Sequence, residues 1–118
     1  MDTSVYENFL TALRSYQEMQ PCPVLQSLEI LQGKWSAKII FHLLKNGNMR
    51  FSNLKKAVPT ITNTMLTATL KDLVEQDIVL RKQYNEMPLR VEYSLTSKGN
   101  ALLPVFCELG HWWKTHSD

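Results

Sequence analysis

The chain has 118 residues, 44% of them hydrophobic and 20% charged, with a formal net charge of +2. That length holds a single domain with one core, and no apolar run approaches the roughly 20 residues that span a bilayer. The small net charge hides an asymmetry: residues 1–29 carry −3, residues 30–71 carry +7 with no acid at all, and residues 72–118 carry −2.

Residues 3–19 are predicted helical, because Val5, Phe9, Leu13 and Tyr16 fall on one stripe. Pro21-Cys22-Pro23 then forces an extended break, since proline removes a donor and restricts its predecessor. A short helix follows, with Val24, Leu28 and Leu31 inward, ending at Gly33. A second starts near Trp35 or Ser36, repeats Ile39, Ile40, Leu43 and Leu44 at helical spacing, and stops at Asn46-Gly47.

Ser52 is the expected N-cap of the next short helix, which turns Leu54, Ala57 and Val58 inward and ends at Pro59. Thr62 caps a helix over Asn63 to Gln76 whose buried stripe is Leu66, Leu70 and Leu73, helped by Met65 and Val74. Asn63, Thr64, Thr67, Ala68 and Lys71 are left on its other side, a face of small polar residues around one lysine. The period then changes from 3.6 to 2. Residues 78–84 and 90–95 read as strands, the second with Val91, Tyr93 and Leu95 on one face, joined by a loop over Asn85 to Leu89. Thr96 or Ser97 caps a last helix through about residue 115, where Pro104 kinks it or delays its start.

A basic helix-turn-helix followed by a hairpin is the outline of a winged-helix DNA-binding unit, here over about residues 25–95. The expected class is α+β, mainly α, as a single domain over 1–118. The helices at 3–19 and 97–115 are extra. Their apolar arcs are wider than one small core can bury, which is the mark of a partner surface, and a symmetric homodimer is the commonest solution. Val5, Phe9, Leu13, Phe106, Leu109, Trp112 and Trp113 are the expected interface residues.

The concentrated positive stretch is what a polyanion feels. On the predicted recognition helix, Thr62 opens the face, Asn63 is suited to an adenine edge, Thr64 and Thr67 to a thymine methyl or a phosphate, and Lys71 to a phosphate. Arg50, Lys55, Lys56, Arg81, Lys82, Arg90 and Lys98 are candidate backbone contacts, each with the alternative of being a solvated charge. Cys22 lies just ahead of a helix, where a thiol can react as thiolate; the alternative is a small buried side chain. Cys107 and His111, four apart, have no further ligands nearby, so packing is the expected role and no metal or cofactor is expected. With no phosphate-cradling glycine loop and no nucleophile elbow, enzyme activity is not expected. The acidic opening MDTSVYENFL is not a secretory leader, so the protein is expected in the cytoplasm with its two cysteines reduced at rest.

Several stretches resemble the HxlR-type family of bacterial winged-helix regulators. They are Cys22-Pro23-Val24, Gly33-Lys34-Trp35, Arg50-Phe51-Ser52-Asn53-Leu54, Ile61-Thr62 with Met65-Leu66-Thr67, Leu70-Lys71-Asp72-Leu73, and the run Arg90 to Gly99. The resemblance runs from about Cys22 to Trp113. It implies a homodimer that binds a roughly palindromic operator in double-stranded DNA, with the helix at 63–76 in the major groove and the hairpin as wing. It also implies that Cys22 is a candidate sensor of oxidants or electrophiles, some members responding to other signals. One departure stands out. The family often has Gly where this chain has Asp77, and a left-handed Asp costs about 1 kcal/mol more, so the helix is expected to end differently here. Two other functions remain open: a winged-helix protein-interaction module, and an architectural protein without sequence preference.

Overall fold

A computed structural model describes residues 3–16 and 22–117, without the side chains of residues 3–6, 15 and 16. Residues 1–32 and 33–118 form two compact units. The first holds helices α1 (Thr3–Tyr16) and α2 (Pro23–Leu31). Residues 17–19 of the expected first helix and the side chain of Val5 lie outside the described part.

Cys22 is the N-cap of α2 and Pro23 its first residue, where a missing N–H costs nothing. Its last turn is tied by the Gln32 amide to the Leu28 carbonyl, and Gly33 turns the chain at φ 94°. The expectation that Leu28 points inward is not met, because α2 is apolar on two sides. Val24 and Leu31 are half-buried, whereas Leu25 and Leu28 remain exposed.

The second unit runs α3 (Ser36–Asn46), β1 (Met49–Arg50), α4 (Phe51–Ala57), α5 (Asn63–Glu75), β2 (Val79–Tyr84), β3 (Arg90–Leu95), α6 (Ser97–Asn100) and α7 (Leu103–His116). Ile39, Ile40 and Leu43 of α3, Leu54 of α4, and Leu66, Leu70 and Leu73 of α5 are buried with Ile61, Ile78 and Val79. Each such side chain contributes about 1.5–3 kcal/mol when taken out of water. The sheet is antiparallel in the order β1-β3-β2. Among the described residues no helix is long and apolar enough to cross a membrane.

Three local expectations need correction. Ser52 is not the cap of α4. The chain passes straight from β1 into the helix, so Arg50, still paired with Glu92 across the sheet, takes the N-cap position. Met65 and Val74 do not complete the buried stripe of α5, being 44% and 37% exposed. Thr69 goes inward instead, made tolerable by its Oγ1 donating to the Met65 carbonyl at 2.7 Å.

The end of α5 is the third. Asp77 does adopt the left-handed conformation, at φ 62°. Its amide donates to the Val74 carbonyl at 3.0 Å, and the Ile78 amide reaches back to the Leu73 carbonyl at 2.9 Å. This is a full Schellman stop, sealed by the burial of both Leu73 and Ile78. Asp fills a place where Gly is commoner, and the geometry is the one Gly would give.

Thr96 caps α6, accepting the Gly99 amide at 3.1 Å. The chain breaks at Ala101–Leu102, and α7 begins with Pro104 at its second position, so the proline delays the long helix and does not kink it.

Candidate nucleic-acid interface

The helix-turn-helix is α4, the turn 58–62 and α5. Ile61 pins the turn by burial, and its amide donates to the Val58 carbonyl at 3.2 Å. Thr62 then caps α5, its Oγ1 accepting the Met65 amide at 3.1 Å. With Leu66, Thr69, Leu70 and Leu73 buried, helical spacing sets Thr64, Thr67, Ala68 and Lys71 on the opposite side, while Asn63 lies beside the buried stripe and is exposed as the first residue of the helix. Glu75 follows Lys71 by one turn on this side, an acid that an inventory stopping at Lys71 overlooks. Lys71 and Glu75 are not ion-paired.

The cations around this face differ in how free they are. Arg50 and Lys56 are exposed. Lys55 is half-buried, and its Nζ donates to the Pro59 carbonyl at 3.4 Å. Lys98 donates to the Gln76 carbonyl at 3.1 Å, at the C-terminal end of α5.

The wing is set by its register, in which Lys82 faces Glu92, Tyr84 faces Arg90 and Arg81 faces Tyr93. On one face of the hairpin, Lys82 Nζ lies 4.9 Å and the Arg90 guanidinium 4.0 Å from the Tyr84 ring centre. Arg90 also meets Glu86 at 3.2 Å and Glu92 at 3.8 Å, while the Tyr84 hydroxyl donates to Glu92 at 3.3 Å. Arg90 is therefore half-buried and balanced by two carboxylates, and its Nε has no hydrogen-bond partner. Sequence periodicity carries no sign of this cluster, since it depends on the register and on the path of the loop. Arg81 has no ion pair among the described residues and is exposed.

The apolar faces follow the charges. No residue of α7 is buried, and Leu103, Val105, Leu109, Trp112 and Trp113 are all exposed, with Phe106 half-buried. On α1, Phe9 is exposed and Leu13 half-buried. Both thiols are free, Cys22 half-buried and Cys107 exposed.

Comparison with known proteins places these features. The family model of the HxlR-like helix-turn-helix matches residues 30–118. The chain is 36% identical over 104 residues to the HTH-type transcriptional regulator YdeP of Bacillus subtilis, covering 88% of this chain and 80% of that one. The redox regulator HypR in its oxidised form is similar at 36% identity with a TM-score of 0.73, over 82% of this chain and 99% of that one. The reduced transcriptional regulator YodB of B. subtilis is similar at 37% identity with a TM-score of 0.73, over 82% and 95%. A winged helix-turn-helix with these relatives is a DNA-binding fold for transcription regulation, and the chain belongs to the HxlR-like helix-turn-helix family.

Proposed function

We propose that this protein is a homodimeric, sequence-specific regulator whose α5 enters the major groove and whose wing lies along the neighbouring backbone. The observation that carries this reading is the exposed face of α5. Asn63, Thr64, Thr67 and Lys71 project from a helix anchored by three buried leucines. Small polar side chains let the helix approach closely, and Asn63 can bond an adenine edge at two points. Arg50, Lys56, Arg81 and Lys82 are exposed cations for phosphates. Lys55, Arg90 and Lys98 already hold partners within the fold.

Dimerisation is supported by the uncovered apolar side of α7, where two tryptophans more than half exposed are costly in water. In the first unit, Phe9 is exposed and Leu13 half-buried on α1, and both are candidate interface residues. Two-fold symmetry then calls for a roughly palindromic operator. Cys22 is the candidate for oxidant or electrophile sensing. It is the N-cap residue of α2 with a free, half-buried thiol, and HypR is a redox regulator by description.

The test is titration of the protein against the DNA upstream of its own gene, with random DNA as competitor, before and after mild oxidation. The reading expects a specificity ratio well above one and a change on oxidation that Cys22→Ser abolishes. Binding to both DNAs with a ratio near one would make the protein architectural. Binding to neither would turn the assignment towards a protein-interaction module. An unaltered response in Cys22→Ser would remove the thiol switch alone.

A further inference from the structure

Between α5 and the wing lies a cleft of about 360 Å³, lined by Thr67, Leu70, Lys71, Val74, Glu75, Arg81 and Tyr93. Two of its features bear on what it can hold. Val74 is 37% exposed on a helix that buries its leucines. Arg81 occupies the sheet face of buried Val79, because side chains alternate along β2, and it stands opposite Tyr93. Arg81 and Lys71 are both exposed and neither has an ion-pair partner among the described residues, so both charged heads are free to meet a ligand.

We propose that this cleft binds a small organic monoanion with a flat apolar body, and that the bound anion competes with DNA. The chemistry follows from the lining. Leu70, Val74 and the Tyr93 ring offer the body an apolar surface, and an aromatic ring can lie offset on Tyr93. Arg81 presents a planar fork that matches a carboxylate, with Lys71 as a second point charge. Glu75 offsets one of these two cations, leaving a single positive charge, which suits a monoanion and disfavours a polyanion. The Thr67 hydroxyl is a further hydrogen-bonding group.

A phosphate of the DNA backbone needs only rim cations and gains nothing from an apolar floor. The apolar floor therefore points to an organic body, and the cations to its anionic head. Lys71 and Arg81 are also candidate phosphate contacts, and Thr67 belongs to the recognition face. An anion seated here would occupy the groups that DNA requires, giving reciprocal weakening of the two affinities. This regulatory consequence rests on the DNA-binding reading, whereas the binding itself does not.

The experiment is titration of the isotopically labelled full chain, without DNA, with 2-naphthoate, followed by amide shifts. Saturable shifts are expected at Thr67, Lys71, Val74, Arg81 and Tyr93. Arg81→Gln should weaken the interaction about tenfold or more, and the neutral 2-naphthalenemethanol should bind correspondingly more weakly than the acid. Lys71→Gln provides a second, independent variant, and the spectrum of each variant reports that it is folded. No saturable shift at millimolar naphthoate would overturn the proposal. A second cavity lies in the same unit, lined by Phe41, Leu44, Lys45, Leu103, Phe106 and Cys107; shifts centred there instead, or equal binding of acid and alcohol, would also overturn it. Because DNA is absent, a negative result leaves the DNA-binding reading standing. A positive result without competition against operator DNA would overturn the regulatory half.

Discussion

Thr96 Oγ1 donates to the Asp77 carbonyl at 2.6 Å, fastening the end of α5 to the start of the C-terminal helices. The Ile78 carbonyl lies 3.2 Å from the same oxygen, which also accepts the Gly99 amide at 3.1 Å. The Thr96 amide adds a bond to the Ile78 carbonyl at 3.0 Å, and Lys98 reaches the Gln76 carbonyl at 3.1 Å. One threonine thus caps α6 and closes the Schellman stop of α5. Through it, α5 is joined to the segment leading into the apolar α7.

Removing this hydroxyl is expected to be costly. Thr96→Val keeps the shape and loses both the cap and the bond to Asp77, so a loss of about 1–3 kcal/mol is expected. Thr96→Ser keeps the hydroxyl and should lose less than half of that. Urea denaturation checks this, with the midpoint shifting and the slope unchanged.

The two helical glycines make a paired prediction. A Cβ on Gly99 would run into the Ile78 carbonyl and come within 2.9 Å of the Leu95 side chain, whereas one on Gly110 meets nothing within 4 Å. Gly99→Ala should therefore destabilise by about 1–3 kcal/mol or more through overpacking. Gly110→Ala should stabilise by about 0.5–1 kcal/mol, because alanine loses less backbone entropy in a helix. Thermal unfolding of the two variants should give midpoint shifts of opposite sign.

Asp77 gives a third stability test. At φ 62° it stands where glycine is free of the Cβ penalty, so Asp77→Gly should raise stability by up to about 1 kcal/mol. Asp77→Val should lower it by more than that, since a β-branched residue is a genuine outlier at positive φ. Chemical denaturation under the conditions used for Thr96 reads both.

Much of the molecule was legible before its structure. Thr62 and the leucines at 66, 70 and 73 define α5, because a capping hydroxyl and a 3.6-residue period are local signals. Pro104 signals a local disturbance of the last helix but leaves kink and delayed start open, and the structure shows the delayed start. What was not legible depends on neighbours distant in sequence. The two residues of β1 are too few to show a period and exist only through pairing with Tyr93 and Glu92. Thr69 gives no inward signal, since its hydroxyl is satisfied by its own helix. Arg90 reads as a free cation in sequence, and only the hairpin register and loop path deliver Glu86, Glu92 and Tyr84 to it.

That difference separates Arg90 of the wing from Lys71 of α5 experimentally. An arginine already balanced by two carboxylates releases few counterions on meeting phosphate. Lys71→Gln should therefore lower the slope of log affinity against log salt by about 1. Arg90→Gln should lower it by clearly less, its effect arising through the shape of the wing. Binding isotherms over a salt series distinguish the two.

The central claim is that α5 reads base edges as one half of a two-fold symmetric dimer. The most direct measurement is a base-by-base substitution scan of the operator, comparing the wild type with Asn63→Ala. The account predicts that the variant relaxes preference by about 1–3 kcal/mol at two symmetry-related base pairs only. Those pairs should lie in half-sites separated by one or more helical turns, about 10 base pairs each. An equal loss on operator and random DNA, or an unchanged specificity profile, would contradict it.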